Sequence, residues 1–108
     1  MMQSSKTKSY PVRLHGVEVD EVVKIFKALS DQTRVRIIAE LTQAERLFVS
    51  EIADALGIDI SRVSHQLAKL EHMGFVKHTR DGRNIYYELQ DECIRTILRT
   101  ARNHISGE

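Results

Sequence analysis

Residues 17–108 predict a small, mainly α domain of the α+β class, and three observations favour this class. Apolar residues recur with the period of an α-helix in five segments. Near residue 80 the period changes to two on both sides of Asp81-Gly82, a dipeptide typical of two-residue hairpins. The chain has 108 residues, of which 42% are hydrophobic and 29% charged, as expected for one globular domain.

Four of the predicted helices precede the hairpin. Ser30 or Asp31 can cap the second helix, since short polar side chains accept hydrogen bonds from the first free amides. Gly57 and Gly74 are placed to end the third and fourth helices, because glycine readily adopts the left-handed conformation found there. The apolar stripes of these helices are, in order, Val19, Val22, Val23, Phe26 and Leu29; Val35, Ile37, Ile38 and Leu41; Val49, Ile52, Ala53 and Leu56; and Ile60, Val63, Leu67, Leu70 and Met73.

The hairpin and a last helix complete the domain. The predicted strands are residues 75–80 and 83–89, and Asp91 opens a helix whose stripe runs from Ile94 to Ile105. The order helix-helix-helix-helix-strand-strand-helix is that of a winged helix-turn-helix, and the alternative is a small α+β domain with no nucleic-acid role. Residues 1–16, which carry basic but no acidic side chains, are expected to form a flexible N-terminal arm.

Composition excludes several classes of protein. One cysteine cannot form an internal disulfide, and we find no apolar run long enough to span a membrane and no secretory signal. We therefore expect a cytoplasmic protein without a membrane partner. We find neither a phosphate-binding loop nor a nucleophile elbow, so we expect no enzyme and no small organic substrate.

The outward face of the fourth helix carries residue types suited to DNA. Five basic residues stand against two acidic ones between positions 61 and 83, although the whole chain has a net charge of only +1. Arginine recognises guanine edges and glutamine recognises adenine, while basic residues on the hairpin can contact phosphates. The predicted DNA-binding residues are Ser61, Arg62, Ser64, His65, Gln66 and Lys69 on the helix and Lys77, Arg80 and Arg83 on the hairpin.

Three segments resemble the ArsR/SmtB family of transcriptional repressors. Residues 26–41 (FKALSDQTRVRIIAEL) resemble its second-helix signature, 63–70 (VSHQLAKL) its recognition helix and 82–89 (GRNIYYEL) its wing strand. The resemblance extends over roughly residues 17–104, in the order of the family. It implies a prokaryotic homodimeric winged-helix repressor, assembled through its first and last helices, that leaves double-stranded operator DNA on binding an inducer, usually a metal ion.

Candidate metal ligands cluster on the last helix at Asp91, Cys93, His104 and Glu108. Cys93 and His104 are about 16 Å apart along a helix axis, because each residue rises about 1.5 Å. Ligand bonds of about 2.0–2.3 Å cannot bridge that distance within one chain. If two last helices pack antiparallel across a two-fold axis, the first two ligands of one subunit face His104 of its partner. The spacing therefore predicts a dimer.

The resemblance implies the same site, because zinc-, cobalt- and nickel-sensing members carry Asp-X-His, ten residues and His-X-X-His or His-X-X-Glu on their last helix. Here Cys93 replaces the first histidine and Gly107 the last ligand, whose role Glu108 beside it or the chain-terminal carboxylate could take. A thiolate favours Zn²⁺ or Cd²⁺ over Ni²⁺, with Co²⁺ a further candidate. The Cys-X-Cys pair that other members use for arsenic, lead or cadmium is absent, since residues 47–50 read LFVS.

Two alternatives to a metal-released repressor stay open at this stage. The first is a repressor of the same fold with a non-metal inducer or none, whose operator binding would be insensitive to metals and chelators. The second is a dimeric protein-interaction module that binds no DNA. Such a module would show no salt-dependent affinity for duplex DNA, and it would be indifferent to Arg62→Ala and His65→Ala.

Overall fold

The computed structural model describes residues 10–107 and contains the predicted elements in the predicted order. Residues 10–15 form neither helix nor strand, and the rest of the predicted arm, residues 1–9, lies outside the described residues. The elements are α1 (Gly16–Leu29), α2 (Gln32–Leu41), β1 (Leu47–Phe48), α3 (Val49–Leu56), α4 (Ile60–His72), β2 (Val76–Asp81), β3 (Asn84–Leu89) and α5 (Glu92–Ser106).

The hydrophobic core lies between α2, α3, α4 and the base of the sheet. Three residues each of α2, α3 and α4 are buried, whereas α1 and α5 contribute one buried residue each within residues 10–107, Ala28 and Ile94. Burying a Leu, Ile or Val side chain stabilises a fold by about 1.5–3 kcal/mol. The core residues, all under 8% exposed, are Ala28, Ile37, Ile38, Leu41, Ile52, Ala53, Leu56, Val63, Leu67, Leu70, Phe75, Val76 and Ile94.

Local interactions fix where the helices begin and end. Asp31 caps α2 by accepting a hydrogen bond from the Arg34 amide at 2.9 Å. The amide of Phe48, before α3, donates to Glu51 Oε1 at 2.8 Å. Gly57 ends α3 with φ +70°, which confirms the glycine stop. The stripe predicted on α4 is too long, because Ile60 in the first turn and Met73 after the last turn are exposed.

The sheet has three antiparallel strands in the order β1-β3-β2. Asp81 pairs with Asn84, so the hairpin loop is Gly82-Arg83 and the predicted Asp81-Gly82 turn was wrong by one residue. Gly82, with φ +63°, takes the first loop position. The additional strand β1 pairs Phe48 with Tyr86, whose rings stack with centroids 4.0 Å apart. Within residues 10–107, no helix is both long enough and apolar enough to cross a membrane.

Candidate functional site

Helix α4 follows α3 after a short turn and presents a polar face to solvent. Val63, Leu67 and Leu70 are completely buried, and these three anchors fix which residues face outward. Five of the six predicted contact residues on α4 are exposed, as the helical period requires: Ser61, Arg62, Ser64, His65 and Lys69.

Gln66 differs from the other predicted contact residues. It is half-buried, and its Oε1 accepts a hydrogen bond from Arg34 Nη1 at 3.0 Å. Arg34 also donates through Nε to the Ala28 carbonyl oxygen at 2.7 Å. Recognition of adenine by glutamine uses both the oxygen and the nitrogen of the amide. Gln66 therefore links α4 to α2, and its contact with adenine stays a prediction.

The hairpin carries the remaining predicted DNA contacts. Lys77, Arg80 and Arg83 are all exposed, with Arg83 in the loop at the hairpin tip. Lys77 Nζ lies 3.9 Å from Glu88 Oε1 on the neighbouring strand, and such a surface pair contributes little to stability. The hairpin therefore presents its basic residues to solvent.

A contact between α4 and the hairpin was not predicted from the sequence. His78 Nδ1 on β2 and Glu71 Oε2 on α4 are 2.6 Å apart. The ring of Tyr87 on β3 lies beside His78, with centroids 5.7 Å apart. Burial raises the pKa of Tyr87 above 10.0, and the nearby Glu71 carboxylate raises it further. These side chains join α4 to the hairpin, and this tertiary contact between residues seven positions apart follows from no local sequence pattern.

The candidate metal ligands lie at opposite ends of α5. Asp91 is its N-cap, and Asp91 Oδ1 accepts a hydrogen bond from the Cys93 amide at 2.9 Å. Cys93 and His104 are both exposed, whereas Glu108 lies outside the described residues. Within residues 10–107, no three His, Cys, Asp or Glu side chains of one chain are grouped to hold a metal ion.

The donor set fits a divalent metal shared between two chains. A carboxylate, a thiolate and an imidazole are the ligand types that Zn²⁺ takes in proteins. All three side chains are reachable from solvent, and Asp91 keeps its second carboxylate oxygen for a ligand while the first caps the helix. A single chain offers only half of this arrangement at each end of α5.

Helices α1 and α5 expose an apolar surface. Phe26 on α1 is 57% exposed and Ile105 on α5 is 84% exposed, and Val19 and Val23 are also accessible on α1. Between α1, α2 and α5 runs a groove of about 890 Å³ whose lining includes Phe26, Leu98 and Ile105. The stripe predicted on α1 therefore exists, but most of it faces away from the core of its own subunit.

Comparison with known proteins identifies the family. A model described as "Bacterial regulatory protein, arsR family" matches residues 31–78. The chain is 36% identical over 84 residues to a cadmium resistance transcriptional regulatory protein CadC homolog of Staphylococcus aureus, over 78% of this chain and 69% of that protein. The chain belongs to the ArsR family. As a member of this family, it is a regulatory protein and not an enzyme.

Further similarities agree with the ArsR assignment. The ArsR-family chain is 35% identical over 88 residues to a transcriptional repressor SmtB homolog of Synechocystis, over 82% of this chain and 66% of that protein. Its structure matches the AntR antimony-specific transcriptional repressor with a TM-score of 0.85 at 28% identity, over 99% of this chain and 96% of the other. It also matches a homodimeric winged helix-turn-helix DNA-binding domain from Mycobacterium bovis, with a TM-score of 0.72 at 28% identity, over 83% and 86% of the two chains. The predicted winged helix-turn-helix is thus confirmed.

Proposed function

We propose that this protein is a homodimeric, DNA-binding transcriptional repressor that leaves its operator when a divalent metal binds between the last helices. The observation that carries this proposal is the outward face of α4, where Arg62, His65 and Lys69 are exposed above a buried apolar stripe. In a helix-turn-helix, the second helix lies in the major groove and contacts base edges. The names of the relatives, which include transcriptional repressors, support the same function.

The DNA contacts divide by chemistry into two groups. Arg62, Ser61, Ser64 and His65 lie towards the start of α4, where a recognition helix meets base edges. Lys69 and the hairpin residues Lys77, Arg80 and Arg83 are suited to phosphates, which fix position without recognising sequence. Arg62 Nη2 lies 3.4 Å from Thr33 Oγ1, so α2 orients this guanidinium at the edge of the face.

Dimerisation through α1 and α5 accounts for the exposed apolar side chains. A second copy of the chain is the occupant we propose for the groove that contains Phe26 and Ile105. An apolar face rimmed by polar residues is typical of a protein interface. The homodimeric domain of similar structure supports this choice of partner.

The metal site that we propose takes Asp91 and Cys93 from one subunit and His104 from the other, with Glu108 as the fourth ligand. When bound, the metal supplies a fixed link between the two α5 helices. Cys93 makes the site soft, which favours Zn²⁺ or Cd²⁺. Relatives named for cadmium, mercury and antimony support metal-dependent regulation.

A chain of contacts connects α5 to the DNA-binding face through α2. Arg95 Nη1 on α5 donates to the Thr42 carbonyl oxygen at the end of α2, at 2.9 Å. At the start of α2, Arg34 holds Gln66 of α4. A change in the angle between the two α5 helices therefore reaches both recognition helices, whose spacing must be about 34 Å to match successive major grooves. Metal lowers DNA affinity to the extent that it prefers a different spacing.

Titration with Co²⁺ tests the metal site directly. The reduced wild-type protein should give an intense near-ultraviolet thiolate-to-cobalt band, which Zn²⁺ abolishes by competition. Since Cys93 is the only cysteine of the chain, Cys93→Ser should lose the band completely. Asp91→Asn should bind Co²⁺ more weakly, and Glu92→Gln is its matched control, because Glu92 Oε1 accepts a hydrogen bond from Arg95 Nε at 2.8 Å. Absence of tight Co²⁺ binding by the wild type would overturn the metal site.

DNA release tests the coupling between metal binding and DNA binding. A fluorescent duplex of about 30 base pairs, selected from a random library by the metal-free protein, spans two half-sites one helical turn apart. Zn²⁺ should release the wild type and Glu92→Gln from this duplex, but not Cys93→Ser or His104→Asn. If the metal-free protein selects no duplex, the DNA-binding proposal fails. If Zn²⁺ binds without releasing DNA, regulation by a non-metal inducer replaces the metal proposal.

A further inference from the structure

A basic groove lies between α1 and α4, beside the face that carries the predicted base contacts. Its volume is about 620 Å³, and both walls carry basic side chains. Lys24 and Lys27 of α1 form one wall, and His65, Lys69 and His72 of α4 form the other. Within residues 10–107, no acidic side chain lines this groove.

None of the four acidic residues between positions 17 and 31 (Glu18, Asp20, Glu21 and Asp31) lines the groove. Glu18 Oε1 accepts a hydrogen bond from the His15 amide at 2.9 Å, and Asp31 caps α2. Glu21 lies 3.7 Å from Lys24, but both side chains are largely exposed, so this pair holds Lys24 only weakly. Although residues 17–31 carry more acidic than basic residues, α1 therefore adds positive charge on the side that faces α4.

Besides these basic residues and Met73, two alanines line the groove. Ala28 on α1 and Ala68 on α4 line it between the two cationic walls. Ala68 lies between His65 and His72 on the outward surface of the recognition helix, and it is exposed. Arg34 also lines the groove, but its guanidinium is bonded to Gln66 and to the carbonyl oxygen of Ala28. Small side chains between separated positive charges leave room for an extended polyanion.

We infer that this groove binds the phosphate backbone of duplex DNA where the backbone passes the C-terminal half of α4, with Lys24 and Lys27 as phosphate contacts outside the helix-turn-helix. The inference rests on the proposed DNA-binding function and extends its surface onto α1. Charge complementarity and continuity with the face of α4 select this partner. Phosphate contacts of this kind are independent of sequence and depend strongly on salt.

Salt dependence measures these contacts without knowledge of the operator. The probe is a fluorescein-labelled duplex of mixed sequence, and the dissociation constant is measured by anisotropy over a series of NaCl concentrations. The logarithm of the association constant falls with the logarithm of the salt concentration, and each lost phosphate contact makes this slope less steep by about 0.9. The double variant Lys24→Gln, Lys27→Gln should therefore make the slope less steep by about 1.8 per subunit. Both lysines are exposed, so the helical circular dichroism should not change.

Two controls separate the effect of the groove on DNA affinity from the effect of net charge. Lys24→Arg with Lys27→Arg keeps both charges in place and should keep the wild-type slope. Arg46→Gln removes one charge outside the groove, where the Arg46 guanidinium lies 3.9 Å from the ring centre of Tyr86, and should weaken binding less than Lys27→Gln.

The outcomes are distinguishable. An unchanged slope in the double glutamine variant, or equal losses for Lys27→Gln and Arg46→Gln, would overturn the groove while DNA binding itself stands. A wild-type protein that binds no duplex at any salt concentration would overturn the proposed function and the groove together. If inorganic pyrophosphate binds through these lysines but the duplex does not need them, the groove holds a small anion and the inference is wrong.

Discussion

Arg34 is the residue that brings three helices together. It lies in α2, and it donates to the Ala28 carbonyl oxygen at the end of α1 and to Gln66 of α4. The side chain is half-buried, so its loss leaves these partly buried acceptors without their charged donor. Hydrogen bonds to a charged group are worth more than neutral ones for this reason.

Replacing Arg34 should therefore lower the free energy of unfolding more than replacing its partner Gln66 does. We expect Arg34→Ala to lower the free energy of unfolding by about 1.5–3 kcal/mol and Gln66→Ala by about 1 kcal/mol. Urea denaturation measures both, and the double variant should be less destabilised than the sum of the two single variants. Strict additivity would mean that the contact between Arg34 and Gln66 does not contribute.

At the scale of single elements, α5 begins with a carboxylate that has two possible roles. Asp91 caps the helix by accepting from the Cys93 amide and is also a proposed metal ligand. Asparagine caps helices about as well as aspartate, but it has no carboxylate. The two roles can thus be separated by the choice of substitution.

Asp91→Ala and Asp91→Asn should differ in stability and agree in metal binding. Without metal, we expect Asp91→Ala to lose about 1 kcal/mol in urea denaturation, whereas Asp91→Asn stays close to the wild type. Both variants should bind Co²⁺ more weakly than the wild type. Wild-type Co²⁺ affinity in Asp91→Asn would remove Asp91 from the ligand set.

The elements themselves were largely predictable from the sequence, because a helix of two or more turns repeats its apolar period. The strand β1 was missed, since its two residues are too few to show a period. The hairpin was predicted one residue out of register, because Asp81 and Gly82 together resemble a turn while Asp81 pairs in the sheet. The role of Gln66 and the basic wall of α1 depend on which helices pack together, and counting charges along the chain does not reveal that.

At the scale of the whole molecule, α1 and α5 contribute little to the core of their own subunit and much to its surface. Phe26, Val23 and Ile105 are exposed large apolar residues on these two helices. The free energy that their burial provides is available only when another copy covers them. Assembly and stability should therefore be linked.

A charge placed on this face should separate the subunits. Phe26→Glu is expected to sediment as a monomer in analytical ultracentrifugation while keeping its helical circular dichroism, since Phe26 is 57% exposed. Ala55→Glu adds the same charge at an exposed position of α3 and should stay dimeric. A dimeric Phe26→Glu would place the interface elsewhere.

The two ends of helix α5 differ in how firmly their own subunit holds them. Its first turns are fastened to their own subunit by the buried Ile94 and by the bond from Arg95 to Thr42, whereas its last turn carries the exposed Ile105. Backbone amides should therefore exchange with solvent faster towards the end of α5, and dilution should widen the difference. His104 lies in that last stretch. Under the proposed function, the metal concentration at which the protein leaves DNA would then depend on the concentration of the protein as well as on the affinity of the metal site.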